Sequence, residues 1–108
     1  RSVFKLAVNT MASAALEALA HSPIDIDQVR WLVPHQANVR IINSVAKRLR
    51  LPEDRAYINL PKYGNTSAAT IPIALDELVR NDLVKQDDYL LLVAFGAGLT
   101  WGASLIQW

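Results

Sequence analysis

Apolar residues recur at helical intervals through the first twenty positions. Phe4, Ala7, Val8, Met11, Ala15, Ala18 and Leu19 share one side, and Lys5, Asn9, Ser13 and Glu17 form an i,i+4 row on the other. The spacing predicts an amphipathic helix over 3–20, stopped by His21-Ser22-Pro23. A connector over 24–28 leads into the short apolar run Val29–Val33, which reads as a strand interrupted by Arg30 and ended by Pro34. Val39, Ile42, Val45, Ala46 and Leu49 then return to helical spacing and predict a helix over 38–50. After a turn at Leu51-Pro52-Glu53-Asp54, a strand is expected over 56–60, and after the loop 61–64 a third helix over 66–81. Pro72 should distort that helix or its first turn. Two apolar runs, 89–95 and 99–108, flank Gly96-Ala97-Gly98 and predict a closing β-hairpin.

The predicted order, α-β-α-β-α-β-β, specifies an α/β fold: a mixed, mostly parallel sheet between helical layers, ending in a hairpin. Near-continuous apolar runs fit strands covered on both faces. Trp31, Trp101 and Trp108 sit among apolar residues and are read as core.

The composition narrows the class. The chain has 108 residues, 52% of them hydrophobic and 19% charged, enough for one packed domain and too few for two. Net charge is +1, which gives no reason to expect nucleic acid. No apolar run is long enough to span a bilayer. There is no cysteine, so disulfides, thiolate metal sites and a cysteine nucleophile within the chain are excluded. A reducing, cytoplasmic setting is the expectation. Arg1-Ser2-Val3-Phe4-Lys5 carries no signal-peptide pattern and opens almost inside a helix, as expected for a piece of a longer protein. Charge is uneven: from Gln28 to Pro52 no acidic residue occurs, while Arg30, Arg40, Lys47, Arg48 and Arg50 all do.

Chemistry concentrates where strands hand over to the next element. In open α/β sheets, ligands bind beyond the carboxyl ends of strands. His35 follows the first predicted strand, Asn65 the second, and Gly96-Ala97-Gly98 the third. A neutral imidazole and a carboxamide can each donate a hydrogen bond, and together they suit an oxyanion if they converge. Each also has a plainer reading: His35 as a helix cap, Asn65 as an N-cap or left-handed turn residue, and the glycines as a hairpin turn. The helix over 38–50 places Arg40 and Lys47 on one face with Asn43 and Ser44, flanked by Arg48 and Arg50. That face is either solvated or a dock for an acidic or phosphate-bearing partner. His21 and His35 lack metal-ligand spacing, and neither a Gly-x-Ser-x-Gly elbow nor a phosphate-binding Gly-x-x-x-x-Gly-Lys-Ser/Thr loop is present.

Three segments together carry a family resemblance: Val33-Pro34-His35-Gln36-Ala37-Asn38, Gly64-Asn65-Thr66-Ser67-Ala68-Ala69 and Ala94-Phe95-Gly96-Ala97-Gly98-Leu99-Thr100-Trp101-Gly102. In this order, across the whole chain, they resemble the C-terminal half of β-ketoacyl-acyl-carrier-protein synthase III. The resemblance implies residues 1–108 are one half of a thiolase-like fold, whose halves each have five strands. Four are predicted here, and the fifth is expected before Arg1.

It also implies a decarboxylative condensation of an acyl-CoA primer with malonyl-carrier protein, starting fatty-acid synthesis. The family uses a Cys-His-Asn triad; by resemblance His35 and Asn65 are its last two members and the cysteine comes from the N-terminal half. Alone, the chain is expected to be inactive. The backbone N–H of Ala97 falls at the oxyanion hole of the condensation step. Phe4 and Asn38 fall along the pantetheine tunnel. Lys5, Arg40, Lys47 and Arg48 fall in the basic patch that receives acyl carrier protein. Ala97 stands where some members have glycine, and Leu99 where some have phenylalanine, which leaves acyl preference open. No cofactor or metal is implied, acyl-CoA being a substrate, and the complete enzyme is expected to be a homodimer. Two rival readings stand beside it: a triad-bearing condensing enzyme of secondary metabolism, and a non-catalytic module that binds carrier protein.

Overall fold

Burial on both faces of a short sheet organises the molecule. The computed structural model describes residues 2–35, 39–58, 70–96 and 100–108. Its elements run α1 (Ser2–Ala20), a 3-10 turn (Ile26–Gln28), β1 (Val29–Pro34), α2 (Val39–Arg48), a 3-10 turn (Glu53–Arg55), α3 (Thr70–Arg80), β2 (Tyr89–Gly96) and β3 (Thr100–Gln107). The fold is α/β, with β1 and β2 parallel and β2 and β3 an antiparallel hairpin, in the order β1-β2-β3.

Register is set by the pattern of buried positions. From Trp31 onward β1 pairs with β2 without a slip: Trp31 with Leu90, Leu32 with Leu91, Val33 with Leu92 and Pro34 with Val93. Leu32, Leu91 and Val93 face the cluster built with α1 and α2, while Trp31, Val33 and Leu90 face the cluster that includes Ala74 and Leu78 of α3. Strict alternation would put Val29 on the same face as Trp31. It lies instead in the α1/α2 cluster, because a bulge at Arg30 shifts the register between Val29 and Trp31. The extra residue is the exposed Arg30, whose guanidinium lies over the Trp31 ring, 4.9 Å from its centroid. The arginine that interrupts the apolar run is therefore where the strand changes faces.

Helix α1 buries Val8, Met11, Ala12, Ala15 and Leu19, the i, i+3, i+4, i+7 pattern. Lys5, Asn9, Ser13 and Glu17 are exposed, as the spacing predicts. Its last turn is closed by the Ser22 hydroxyl, which donates to the Leu19 carbonyl at 2.8 Å. Helix α2 buries Ile42, Val45 and Ala46. It ends with Arg50 in the left-handed region (φ 61°). There the N–H of Leu51 donates to Ala46 and that of Arg50 to Lys47, with Leu51 buried beneath.

Some boundaries differ from the sequence reading. β1 runs through Pro34. Leu32 accepts from Tyr57 on one flank and His35 donates to Val93 on the other. By that alternation the missing N–H of Pro34 falls on the flank away from β2. The strand expected over 56–60 is represented by one parallel bridge, Leu32 with Ala56, and by the Tyr57 N–H to Leu32 carbonyl bond of 2.9 Å. Asn59 and Leu60 lie outside the described residues. Pro72 sits in the first described turn of α3, where a missing N–H removes little. Trp31 is core, with its indole N–H donating to the Leu83 carbonyl at 2.8 Å. Trp108 is 45% exposed, which corrects its assignment to the core: it follows the last paired residue of an outer strand.

The bulge generates a stability test. Arg30→Ala removes an exposed side chain and a cation–π contact, and should lower unfolding free energy by about 0.5–1 kcal/mol. Deleting Arg30 makes Val29 adjacent to Trp31, so plain alternation keeps Val29 in its cluster, and the loss should not exceed that of Arg30→Ala by more than about 1 kcal/mol. Denaturant unfolding followed by tryptophan fluorescence compares the two, and an additional loss of roughly 1.5–3 kcal/mol, that of a buried valine turned outward, would contradict the register argument.

Candidate active site

Three segments leave the sheet at one edge. β1 and β2 run parallel, and the Ala56 bridge runs parallel to β1, so all three present their carboxyl ends together. From these ends the chain continues into His35, into residues 59–69 and into residues 97–99. Asn65, Ala97 and Asn38 lie outside the described residues.

His35 is described, and its backbone is fixed. Its N–H donates to the Val93 carbonyl at 2.7 Å, extending the β1–β2 ladder by one bond beyond Pro34. The first residue past β1 is thereby tied to a point on β2 three residues before Gly96. The side chain is half-buried, and desolvation holds its pKa below the usual 6.5. At neutral pH the imidazole is uncharged, with one ring N–H to donate.

Helix α2 opens four residues after His35. In its first turn Arg40 reaches back to α1, its guanidinium over the Phe4 ring at 5.3 Å from the centroid. Phe4 in turn lines a cleft of about 540 Å³ between α1 and α2, together with Lys5, Val8, Asn9, Ser44, Lys47 and Arg48. Phe4, Lys5, Lys47 and Arg48 therefore meet in one cleft, with Arg40 stacked on its rim. Arg40, Lys5, Lys47 and Arg48 are all exposed, and no acidic residue is among the described residues lining the cleft. Such a surface suits an anionic partner or a phosphate. Arg50 is not among the lining residues. Val8 and Asn9 were read from the sequence as helix positions and not as site residues, although Asn9 stands one turn from Lys5. Among the described residues no cluster of three His, Asp or Glu side chains is placed to hold a metal ion. No described helix is long and apolar enough to cross a membrane.

Comparison with known proteins assigns the family. Residues 19–108 match the family described as 3-oxoacyl-[acyl-carrier-protein (ACP)] synthase III C terminal. The chain belongs to this family. A β-ketoacyl-[acyl-carrier-protein] synthase III of Caldanaerobacter subterraneus subsp. tengcongensis is 54% identical over 108 residues, covering 100% of this chain and 33% of the relative. The chain thus spans about a third of the length of the curated synthase III relatives it matches. Among solved structures, 3-oxoacyl-[acyl-carrier-protein] synthase III from Aquifex aeolicus VF5 superposes with TM-score 0.95 at 46% identity, over 100% of this chain and 35% of that one. The priming β-ketosynthase from the R1128 polyketide biosynthetic pathway superposes with TM-score 0.90 at 37% identity, over 98% of this chain and 32% of that one. The fold is accordingly the thiolase-like α/β fold of synthase III.

The histidine's environment sets a pH dependence. Burial disfavours the imidazolium in the folded chain, so His35 binds its proton only at a pH lower than in the unfolded chain. Its contribution to stability is present above pH 6.5 and is lost as pH falls through the lower folded value. An NMR titration of the His35 ring should give a midpoint below 6.5. A His35 midpoint above 6.5 would contradict the desolvated, neutral imidazole.

Proposed function

We propose that this chain forms the C-terminal part of a β-ketoacyl-acyl-carrier-protein synthase III. The complete enzyme condenses an acyl-CoA primer with malonyl-carrier protein to start fatty-acid synthesis. The observation that carries this reading is the neutral His35, fixed by its own N–H to Val93 at the carboxyl edge of the sheet, within a chain of synthase III sequence.

In this reading His35 and Asn65 donate hydrogen bonds to the thioester oxygen of the malonyl group. Loss of carbon dioxide leaves an enolate, whose charge gathers on that oxygen. Two uncharged donors stabilise it more than they stabilise the ground-state carbonyl, and this difference lowers the barrier. The enolate carbon then attacks an acyl group held as a thioester on a cysteine. This chain has no cysteine, so the nucleophile belongs to the N-terminal half, and these 108 residues alone do not turn over. The carbon–carbon bond forms as the cysteine leaves as thiolate. The Ala97 backbone N–H serves the oxyanion of that second step.

The basic cleft serves binding. Lys5, Arg40, Lys47 and Arg48 receive the acidic carrier protein, and Phe4 and Asn38 line the path of the pantetheine arm. The reaction needs no cofactor beyond its thioester substrates, and the complete enzyme works as a cytoplasmic homodimer. The similarity to the R1128 priming β-ketosynthase supports a second reading, a condensing enzyme of secondary metabolism with the same chemistry. The higher identity to the bacterial synthase III relatives favours the first.

Two substitutions in a complete synthase containing this chain separate catalysis from docking. His35→Ala should slow malonyl-carrier-protein decarboxylation by about 10²–10³-fold, the usual loss for one oxyanion donor, with little change in carrier affinity. Arg40→Glu should raise KM for the carrier, more at low salt than at high, and leave kcat nearly intact. If decarboxylation survives His35→Ala and only Arg40→Glu matters, the chain is a carrier-binding module. A panel of acyl-CoA primers then separates the two condensing-enzyme readings.

A further inference from the structure

A part-buried polar contact links the chain on either side of residues 59–69, which carry Asn65. The Tyr57 hydroxyl donates to Glu77 Oε1 at 2.7 Å. Tyr57 lies just before residues 59–69, and Glu77 lies two turns inside α3, the helix that follows them. Glu77 is 6% exposed and is the one charged-type residue among the buried side chains described. It occupies the apolar stripe of α3, between the fully buried Ala74 and Leu78, where an aliphatic residue would pack without need of a partner.

Tyr57 is also held from the strand that ends at His35. Its backbone N–H donates to the Leu32 carbonyl at 2.9 Å, and its ring meets Trp31 edge to face, with centroids 5.6 Å apart and planes at 88°. Trp31 is in turn fixed by its indole bond to Leu83, just beyond α3. One residue is thus keyed to β1 by its backbone and ring and to α3 by its hydroxyl. Buried hydrogen bonds of this kind define position more than they add stability.

We propose that Tyr57 and Glu77 are positioning residues that set the Asn65-bearing segment relative to His35. This rests on the reading above, in which Asn65 donates to the malonyl thioester oxygen. The pair joins Tyr57, ahead of that segment, to Glu77 inside the helix that follows it, and connects both, through Trp31 and Leu32, to the strand that delivers the histidine. Displacements well under a hydrogen-bond length weaken an oxyanion donor, so loosening this joint acts on the rate of decarboxylation before it acts on folding.

The test is a double-mutant cycle on malonyl-carrier-protein decarboxylation in a complete synthase containing this chain. Tyr57→Phe removes one oxygen and is expected to slow decarboxylation by about tenfold. In an Asn65→Ala background the same change is expected to add less than about twofold, because it acts through that carboxamide. Glu77→Gln keeps an acceptor within reach and should lose only about two- to fivefold, again with nothing added in the Asn65→Ala background. A purely structural role would instead give an equal additional loss in both backgrounds. If Asn65→Ala slows the reaction but Tyr57→Phe leaves it unchanged, or slows it additively, the positioning role is overturned and the site reading stands. If Asn65→Ala has no effect, the site reading itself fails and this proposal falls with it. Should Tyr57→Phe not fold, the Glu77→Gln cycle decides by the same criterion, with no loss or an additive loss overturning the proposal.

Discussion

The ladder between β1 and β2 is the constraint on which the rest of the described structure depends. Both strands are covered on both faces, so a slip of one residue would exchange the side chains meant for α1 and α2 with those meant for α3. That penalty pins the register without help from a turn, since the strands are far apart in sequence. The same ladder ends with the N–H of His35 on the Val93 carbonyl. Core packing and the placement of the histidine backbone are therefore one requirement. The bulge at Arg30 completes the arrangement: it absorbs the change of face at the start of β1, so that the regular part of the ladder reaches the carboxyl edge undisturbed.

Helix α2 shows where local stability and surface charge agree and where they conflict. Lys47 and Arg48 occupy its last turn, where the helix dipole favours cations. Arg40 stands in the first turn, where the same dipole disfavours one. The contact of its guanidinium with Phe4 offsets that and draws α1 and α2 together at the rim of the cleft. A cation held against its own helix terminus, beside a cleft lined by Lys5, Lys47 and Arg48, is better explained by the surface it completes than by the helix it belongs to.

Much of this was legible in the residue pattern, for physical reasons. The i, i+3, i+4 recurrence in α1 and α2 follows directly from burial against one sheet face, and the hairpin from two apolar runs about a glycine-containing turn. Positions that depend on partners distant in sequence were less visible. The strand expected over 56–60 is held among described residues by a single bridge to Leu32, a fact of pairing that propensity does not encode. Arg30 read as an interruption because a bulge leaves no periodic trace of its own. Trp108 read as core because an apolar residue after an apolar run looks the same whether or not something covers it. Of the candidate site, His35 and the basic residues of α2 were singled out from their type and position, and Lys5 of α1 only from the family resemblance. Glu77 was passed over because a carboxylate between apolar residues of a helix reads as part of its solvated side. Its signal was present all the same: at three residues from Ala74 and one from Leu78, it falls on the stripe that faces the core.

The described residues sort charge from neutral polarity in a way that follows from solvation. The permanent cations of the cleft remain exposed, where water screens their mutual repulsion and where their field still reaches an approaching anion. The polar groups taken inward are different. The half-buried imidazole of His35 is kept uncharged by desolvation, and the Tyr57 hydroxyl donates to the Glu77 carboxyl in a part-buried hydrogen bond. A charged donor at the strand end would carry a solvation penalty in the resting protein and, in the proposed reaction, would surrender its proton to the enolate. A neutral donor carries neither burden, and its hydrogen bond strengthens only as charge develops on the acceptor. Solvated cations at the inter-helix cleft and a desolvated, uncharged imidazole at the sheet edge are thus kept apart, and the proposed division between docking and chemistry rests on that separation.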